Sequence, residues 1–92
     1  MIVNLEETKE YLRVDFEDDD NLILSLIKQA EILCQDILRL ETKEALHDYE
    51  EKLKVPILFT TAYLYENRES ADYKELNLNL RNLLYAVRES KF

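Results

Sequence analysis

An all-α fold, a compact bundle of about four helices, follows from three features of the 92-residue chain. It has no Gly and one Pro, so it lacks the usual residue of tight hairpin turns. Its apolar residues recur at steps of three and four, the spacing of a helix face. Helix-start signatures separate the apolar stretches. The expected helices span approximately 5–13, 19–39, 44–68 with a kink at Pro56, and 78–89. Ninety-two residues make one domain, 1–92, with a modest core.

The first helix starts at Asn4, three residues before Glu7. This is a variant of the capping box: the cap side chain accepts an orphan N–H, and the carboxylate reaches back. Leu5, Thr8 and Leu12 share one face, with Tyr11 beside it. A connection at 14–20 follows. Its acids, Glu17, Asp18, Asp19 and Asp20, suit the start of a second helix, where the macrodipole favours negative charge. A calcium loop needs a Gly and a distal Glu at fixed spacing, and this run has neither.

The second helix carries a stripe of Ile23, Leu26, Ile27, Ala30, Leu33, Cys34, Ile37 and Leu38. Leu22, Leu24 and Ile32 lie off it, which points to a central helix or to contact with another chain. A polar joint at 40–43, with Thr42 as a cap, leads to the third helix. There Leu46, Tyr49, Leu53, Ile57, Thr60 and Leu64 keep one phase. Pro56 removes one backbone bond, at about 3 kcal/mol in a regular helix interior. The stripe stays in register across it, so one kinked helix is expected. The run 55–65 is apolar nearly all round and is the expected centre of the core. Tyr63 and Tyr65 need partners for their hydroxyls there. After a polar connection at 69–75, Asn77 or Asn79 caps a last helix with Leu80, Leu83, Leu84 and Val87 on its apolar face.

No catalytic set emerges. The chain has one His and one Cys, which excludes most zinc and nucleophile–base arrangements. His47 reads as a surface residue and Cys34 as inert packing. Nothing resembles a phosphate-cradling or dinucleotide loop. No enzyme activity, cofactor or metal is expected. With one Cys no intrachain disulfide can form. No apolar run is long enough for a bilayer, so a soluble, cytosol-made chain is expected.

The net charge of −8 is unevenly placed. Residues 1–20 hold eight acids against Lys9 and Arg13, whereas 77–92 hold Arg81, Arg88 and Lys91 against Glu89. An acidic total disfavours a general nucleic-acid binder. The polarity could align the two ends of neighbouring copies.

Three stretches carry a resemblance to a family: LEETKEYLRVDFEDDDNLILSLIKQAE (5–31), TAYLYENRES (61–70) and LNLRNLLYAVRES (78–90). Together they resemble the small head–tail connector (adaptor, DNA-packaging) proteins of tailed bacteriophages and prophages. The resemblance implies a four-helix bundle whose copies form a ring, usually twelve-fold, beneath the portal protein. The ring would extend the DNA channel and receive the next connector, stopper or tail-completion protein. DNA would pass without specific binding. The place implied is the virion, with assembly in the host bacterial cytoplasm. The joint between the second and third helices is shorter than in many relatives and has no Gly. The alternative is a small acidic helical interaction module, regulatory or antitoxin-like.

On this reading Leu22, Leu24 and Ile32 contribute to subunit contacts. Glu66, Asn67, Arg68 and Glu69 emerge where a neighbour can be met, and Arg68 is positioned to pair with an acid of another helix or subunit. Arg81, Arg88 and Lys91 lie nearer protein partners. Glu17, Asp18, Asp19 and Asp20 line a channel whose negative field would keep DNA sliding.

Overall fold

The computed structural model describes residues 2–40 and 44–89. Its element order is α1 (Leu5–Leu12), α2 (Asp20–Leu38), a 3-10 helix (Glu44–Tyr49), α3 (Glu50–Glu66) and α4 (Tyr73–Glu89). The described residues contain no strand, so the all-α expectation holds. The polar joint at 41–43, its cap Thr42, and the terminal Lys91 and Phe92 lie outside the described residues, as do the side chains of Leu46, His47, Val87 and Arg88.

The first helix begins as its signature requires. Asn4 Oδ1 accepts from the Glu7 N–H, and Glu7 Oε1 accepts from the Asn4 N–H, both at 2.8 Å. Buried Thr8 donates its hydroxyl to the Asn4 carbonyl at 2.8 Å. The chain ahead of the cap is core. Ile2 and Val3 are buried, and the Ile2 N–H donates to Glu31 Oε2 on α2 at 2.8 Å.

Both α1 and α2 end without glycine. Arg13 (φ 60°) and Arg39 (φ 58°) occupy the left-handed position. Each is bracketed by the paired bonds of a Schellman motif: Arg13 N–H to Glu10 O with Val14 N–H to Lys9 O, and Arg39 N–H to Asp36 O with Leu40 N–H to Gln35 O. Val14 and Leu40 then turn back onto the core.

The core lies around α2. Ile23, Ile27, Ala30, Cys34 and Leu38 pack with Leu53 and Ile57 of α3 and with Leu80 and Leu84 of α4. Leu26, Leu64 and Leu76 form a second, smaller cluster that takes in Leu22, Phe59, Tyr63 and Tyr65. Leu33 and Ile37, expected on the stripe, are half-buried. The Cys34 thiol is pushed up to about 12 by burial and by nearby Glu31, which leaves it a packed thiol and no nucleophile.

The starts of the third and fourth helical segments differ from expectation. The start of the third segment is 3-10 rather than α, and the α-helix begins only at Glu50. Short 3-10 pieces are common ahead of α-helices. The helix then runs through Pro56, which is itself buried. The Pro56 carbonyl accepts the Thr60 hydroxyl at 2.8 Å in addition to its helical role. Val55, counted within the apolar run, is 64% exposed.

The last helix starts at Tyr73, five residues before the expected 78. Asp72 begins it, not Asn77 or Asn79: its Oδ1 accepts the Glu75 N–H at 3.0 Å and its carbonyl accepts the Leu76 N–H at 2.9 Å. Leu76 is fully buried, which holds this first turn against the bundle.

A left-handed conformation costs an L-residue roughly 1–2 kcal/mol, part of which glycine's greater unfolded-state freedom offsets. Arg13→Gly is therefore expected to stabilise the domain by about 0.5–1 kcal/mol, raising Tm by a few degrees in a thermal melt. Arg13→Val at the same position should lower Tm.

Candidate assembly surfaces

The stretch YENR at 65–68 meets the start of α2. The Tyr65 hydroxyl donates to Asp19 Oδ2 at 2.6 Å, across 46 residues of sequence. The Arg68 guanidinium lies over the Tyr65 ring, 4.8 Å from its centroid, and its Nη1 is 3.9 Å from the same carboxylate oxygen. Asp19 sits at the cap position of α2 yet makes no side-chain cap bond. Its carboxylate faces α3 instead. Next to it, Asp20 takes Lys9 Nζ of α1 at 2.7 Å, with both side chains largely shielded.

The Arg68 pair is long and half exposed, so it contributes at most about 1 kcal/mol. The Tyr65 bond to a charged acceptor is the stronger link, about 1.5–3 kcal/mol for a good example. That bond raises the Tyr65 hydroxyl above its ordinary value of 10.0; partial desolvation and the Asp19 charge add to the rise, and Arg68 opposes it.

The rest of the stretch closes the α3–α4 corner. Asn67 ends α3, donating both its backbone N–H (3.0 Å) and its Nδ2 (2.9 Å) to the Tyr63 carbonyl. The Tyr63 hydroxyl receives the Asp72 N–H at 2.9 Å and donates to the Asp72 carbonyl at 3.3 Å. Of the residues 66–69, Asn67 and Arg68 thus work within the domain, whereas Glu66 and Glu69 are exposed.

The four acids of 17–20 divide in the same way. Asp19 and Asp20 are held by Tyr65, Arg68 and Lys9, while Glu17 and Asp18 stand exposed. Among the off-stripe residues of α2, Ile32 is 46% exposed, Leu24 is half-buried, and Leu22 belongs to the second cluster. Arg81 is exposed on α4.

Other apolar groups are left in water that the sequence did not mark as surface, among them Leu83, expected on the apolar face of the last helix. Tyr11, Val55 and Leu83 are exposed and, with Phe59, line a groove across α1, α3 and α4. Phe16 is exposed in the α1–α2 connection, and Leu78 and Tyr85 are exposed on α4. For Leu78 and Tyr85 a signal existed. Lys74, Leu78, Arg81 and Tyr85 step by four, three and four, a helical stripe displaced from the buried Leu76, Leu80 and Leu84. Among the described residues no group of His, Cys, Asp and Glu side chains could hold a metal ion, and no helix is long and apolar enough to cross a membrane.

Tyr65→Phe should lower stability by about 1–2 kcal/mol, read from denaturant midpoints. The raised hydroxyl also sets a pH signature. Its contribution is complete below pH 10, the unfolded value, and is lost as pH rises through the higher folded value. The gap between wild type and Tyr65→Phe should therefore be steady near pH 9 and shrink above pH 10.

No curated protein and no solved structure matches the chain. The family model described as phage gp6-like head-tail connector protein matches residues 2–90, from the buried lead-in to the end of α4. The match takes in all four helices and the YENR corner, and with them the chain belongs to the phage gp6-like head-tail connector protein family, a family of phage structural proteins.

Proposed function

We propose that the chain is a structural connector that assembles as a ring of about twelve copies beneath the portal protein. The ring extends the DNA channel and offers its far side to a stopper or tail-completion protein. It is part of the virion and assembles in the host cytoplasm, without catalysis or cofactor. The observation that carries this reading is the family match over residues 2–90. The surface supports it: a domain of this size leaves Tyr11, Phe16, Ile32, Val55, Leu78 and Tyr85 well exposed on several sides. Apolar groups spread around a small domain suit a part that meets neighbours on more than one face.

Ile32, the most exposed of the off-stripe residues on α2, is assigned to a contact between copies, with Leu24 beside it in that role. Glu66 and Glu69 are free to meet a partner. The channel reading rests on the charge of the whole ring. Each copy is −8, so DNA phosphates are repelled and the duplex slides.

Electron microscopy of the chain mixed with the portal protein encoded beside it should find a ring on the portal's lower face. One-to-one complexes or dimers would favour a regulatory interaction module instead. Ile32→Glu should leave the melting temperature nearly unchanged while weakening assembly; unaltered assembly would remove Ile32 from the contact. Tight, salt-sensitive binding of duplex DNA by the assembled ring would overturn the channel reading.

A further inference from the structure

A hollow of about 260 Å³ opens where the end of α2 meets the outer face of α4. Its floor is Leu38 and Leu84, Tyr85 stands at its side, and Arg39 and Arg81 are on its rim. Asp36 is the one acid there. Both arginines are exposed, and among the described residues neither has a carboxylate within ion-pair distance. A second hollow along α4 shares Arg81 and adds Lys74 and Leu78, extending the cationic, apolar strip.

The α1–α2 connection is the converse. Phe16 is 47% exposed and stands between Asp15, Glu17 and Asp18, all exposed and without a cationic partner among the described residues. One part of the molecule is thus an exposed aromatic knob flanked in sequence by Asp15, Glu17 and Asp18, with Arg13 behind it at the end of α1. Another is an apolar hollow rimmed by arginines.

The knob cannot serve its own socket. Phe16 lies just ahead of the first turn of α2, and Asp36, Leu38 and Arg39 lie at its last. The 19 residues between these ends span about 28 Å at ~1.5 Å per residue. We propose that the socket between α2 and α4 receives Phe16 and its flanking acids from the next copy of this chain, head to tail. This rests on the ring reading above and assigns its seam.

Two different patches in contact make a heterologous interface, which repeats from copy to copy and closes into a ring when its rotation allows. Charge fixes the direction, since knob against knob or socket against socket would be repulsive. The alternative occupant, nucleic acid, is disfavoured: three cations are few, and the whole chain is −8. Glu17 and Asp18 move on this proposal from a channel wall to the seam between copies. One aromatic ring and a few exposed ion pairs fall short of a standard interface of about 1,200–2,000 Å². A single seam is accordingly weak, and assembly depends on ring closure or on the portal as a template.

The test is charge exchange in the full-length chain. One variant carries Arg39→Glu and Arg81→Glu; the other carries Glu17→Arg and Asp18→Arg. All four side chains are exposed, so circular dichroism and melting should report an intact fold. Assembly is scored by sedimentation of the concentrated chain at low salt and by electron microscopy on the portal protein. Each variant alone should lose the assembled species that wild type forms. An equimolar mixture should regain it, because the basic linker of one fits the acidic socket of the other. Phe16→Ser should weaken assembly at unchanged charge, and raising salt should dissociate wild type. Assembly of either variant alone as readily as wild type would overturn the seam while the ring stands. So would a mixture that fails to recover. Duplex DNA binding by wild type that Arg39→Glu/Arg81→Glu abolishes would reassign the socket to nucleic acid. Wild type that never exceeds a monomer, with or without portal, would overturn the ring and the seam together.

Discussion

The start of α2 is the joint on which the arrangement of the domain depends. Two adjacent carboxylates there are held by different elements: Asp20 by Lys9 of α1, and Asp19 by Tyr65 of α3 and by Arg68 just beyond its end. A helix buried along most of its length can still slide or rotate, since apolar contacts are non-directional. The 2.6 Å and 2.7 Å bonds remove that freedom at one end, and the Ile2 bond to Glu31 adds a third polar fix midway. None of these groups is deeply buried, so the desolvation cost that makes buried ion pairs poor stabilisers stays small. Their value lies in register: they decide how α1 and α3 sit on α2, while the core supplies the driving force.

How much of this was legible depended on periodicity. The stripe of α2 was readable because a long amphipathic helix repeats its pattern five times over, and Ile23, Ile27, Ala30 and Cys34 are all fully buried as that pattern requires. Ile2 and Val3 were not legible as core, because a segment this short has no period to read. The apolar run around Pro56 concealed its exposed side: with apolar residues at nearly every position, nothing marked Val55 as outward. The first turn of α4 was missed for the opposite reason. Leu76 is the lone buried residue of a polar stretch, and Asn77 and Asn79 competed with Asp72 as caps. Asp72 followed three residues later by Glu75 was the available clue.

The candidate site was less legible, because it is made of tertiary pairings. A need for hydroxyl partners at Tyr63 and Tyr65 could be deduced from their place in an apolar run. That the partners are Asp72 and Asp19 could not, since Asp19 is 46 residues away and one of four consecutive acids. The acid run therefore looked uniform and is not. Asp19 and Asp20 build the domain; Glu17 and Asp18 are left over. The same sorting applies at the other end, where Arg68 is committed to Tyr65 and Asp19 while Arg39 and Arg81 are not committed to any carboxylate described.

That sorting carries the functional argument further than net charge does. A solvated surface ordinarily mixes its signs, and exposed pairs form wherever opposite charges fall within reach. Here three uncommitted acids, Asp15, Glu17 and Asp18, flank exposed Phe16 before α2, and two uncommitted arginines, Arg39 and Arg81, stand beside exposed Tyr85 at its far end. The long central helix keeps the two groups apart, so intramolecular neutralisation is not open to them. A rigid helix with complementary unpaired ends has its charge satisfied by water or by another copy in the same orientation. In the ring proposed above the second option is at hand for every copy, and the direction imposed by unlike ends is the one that such a ring requires.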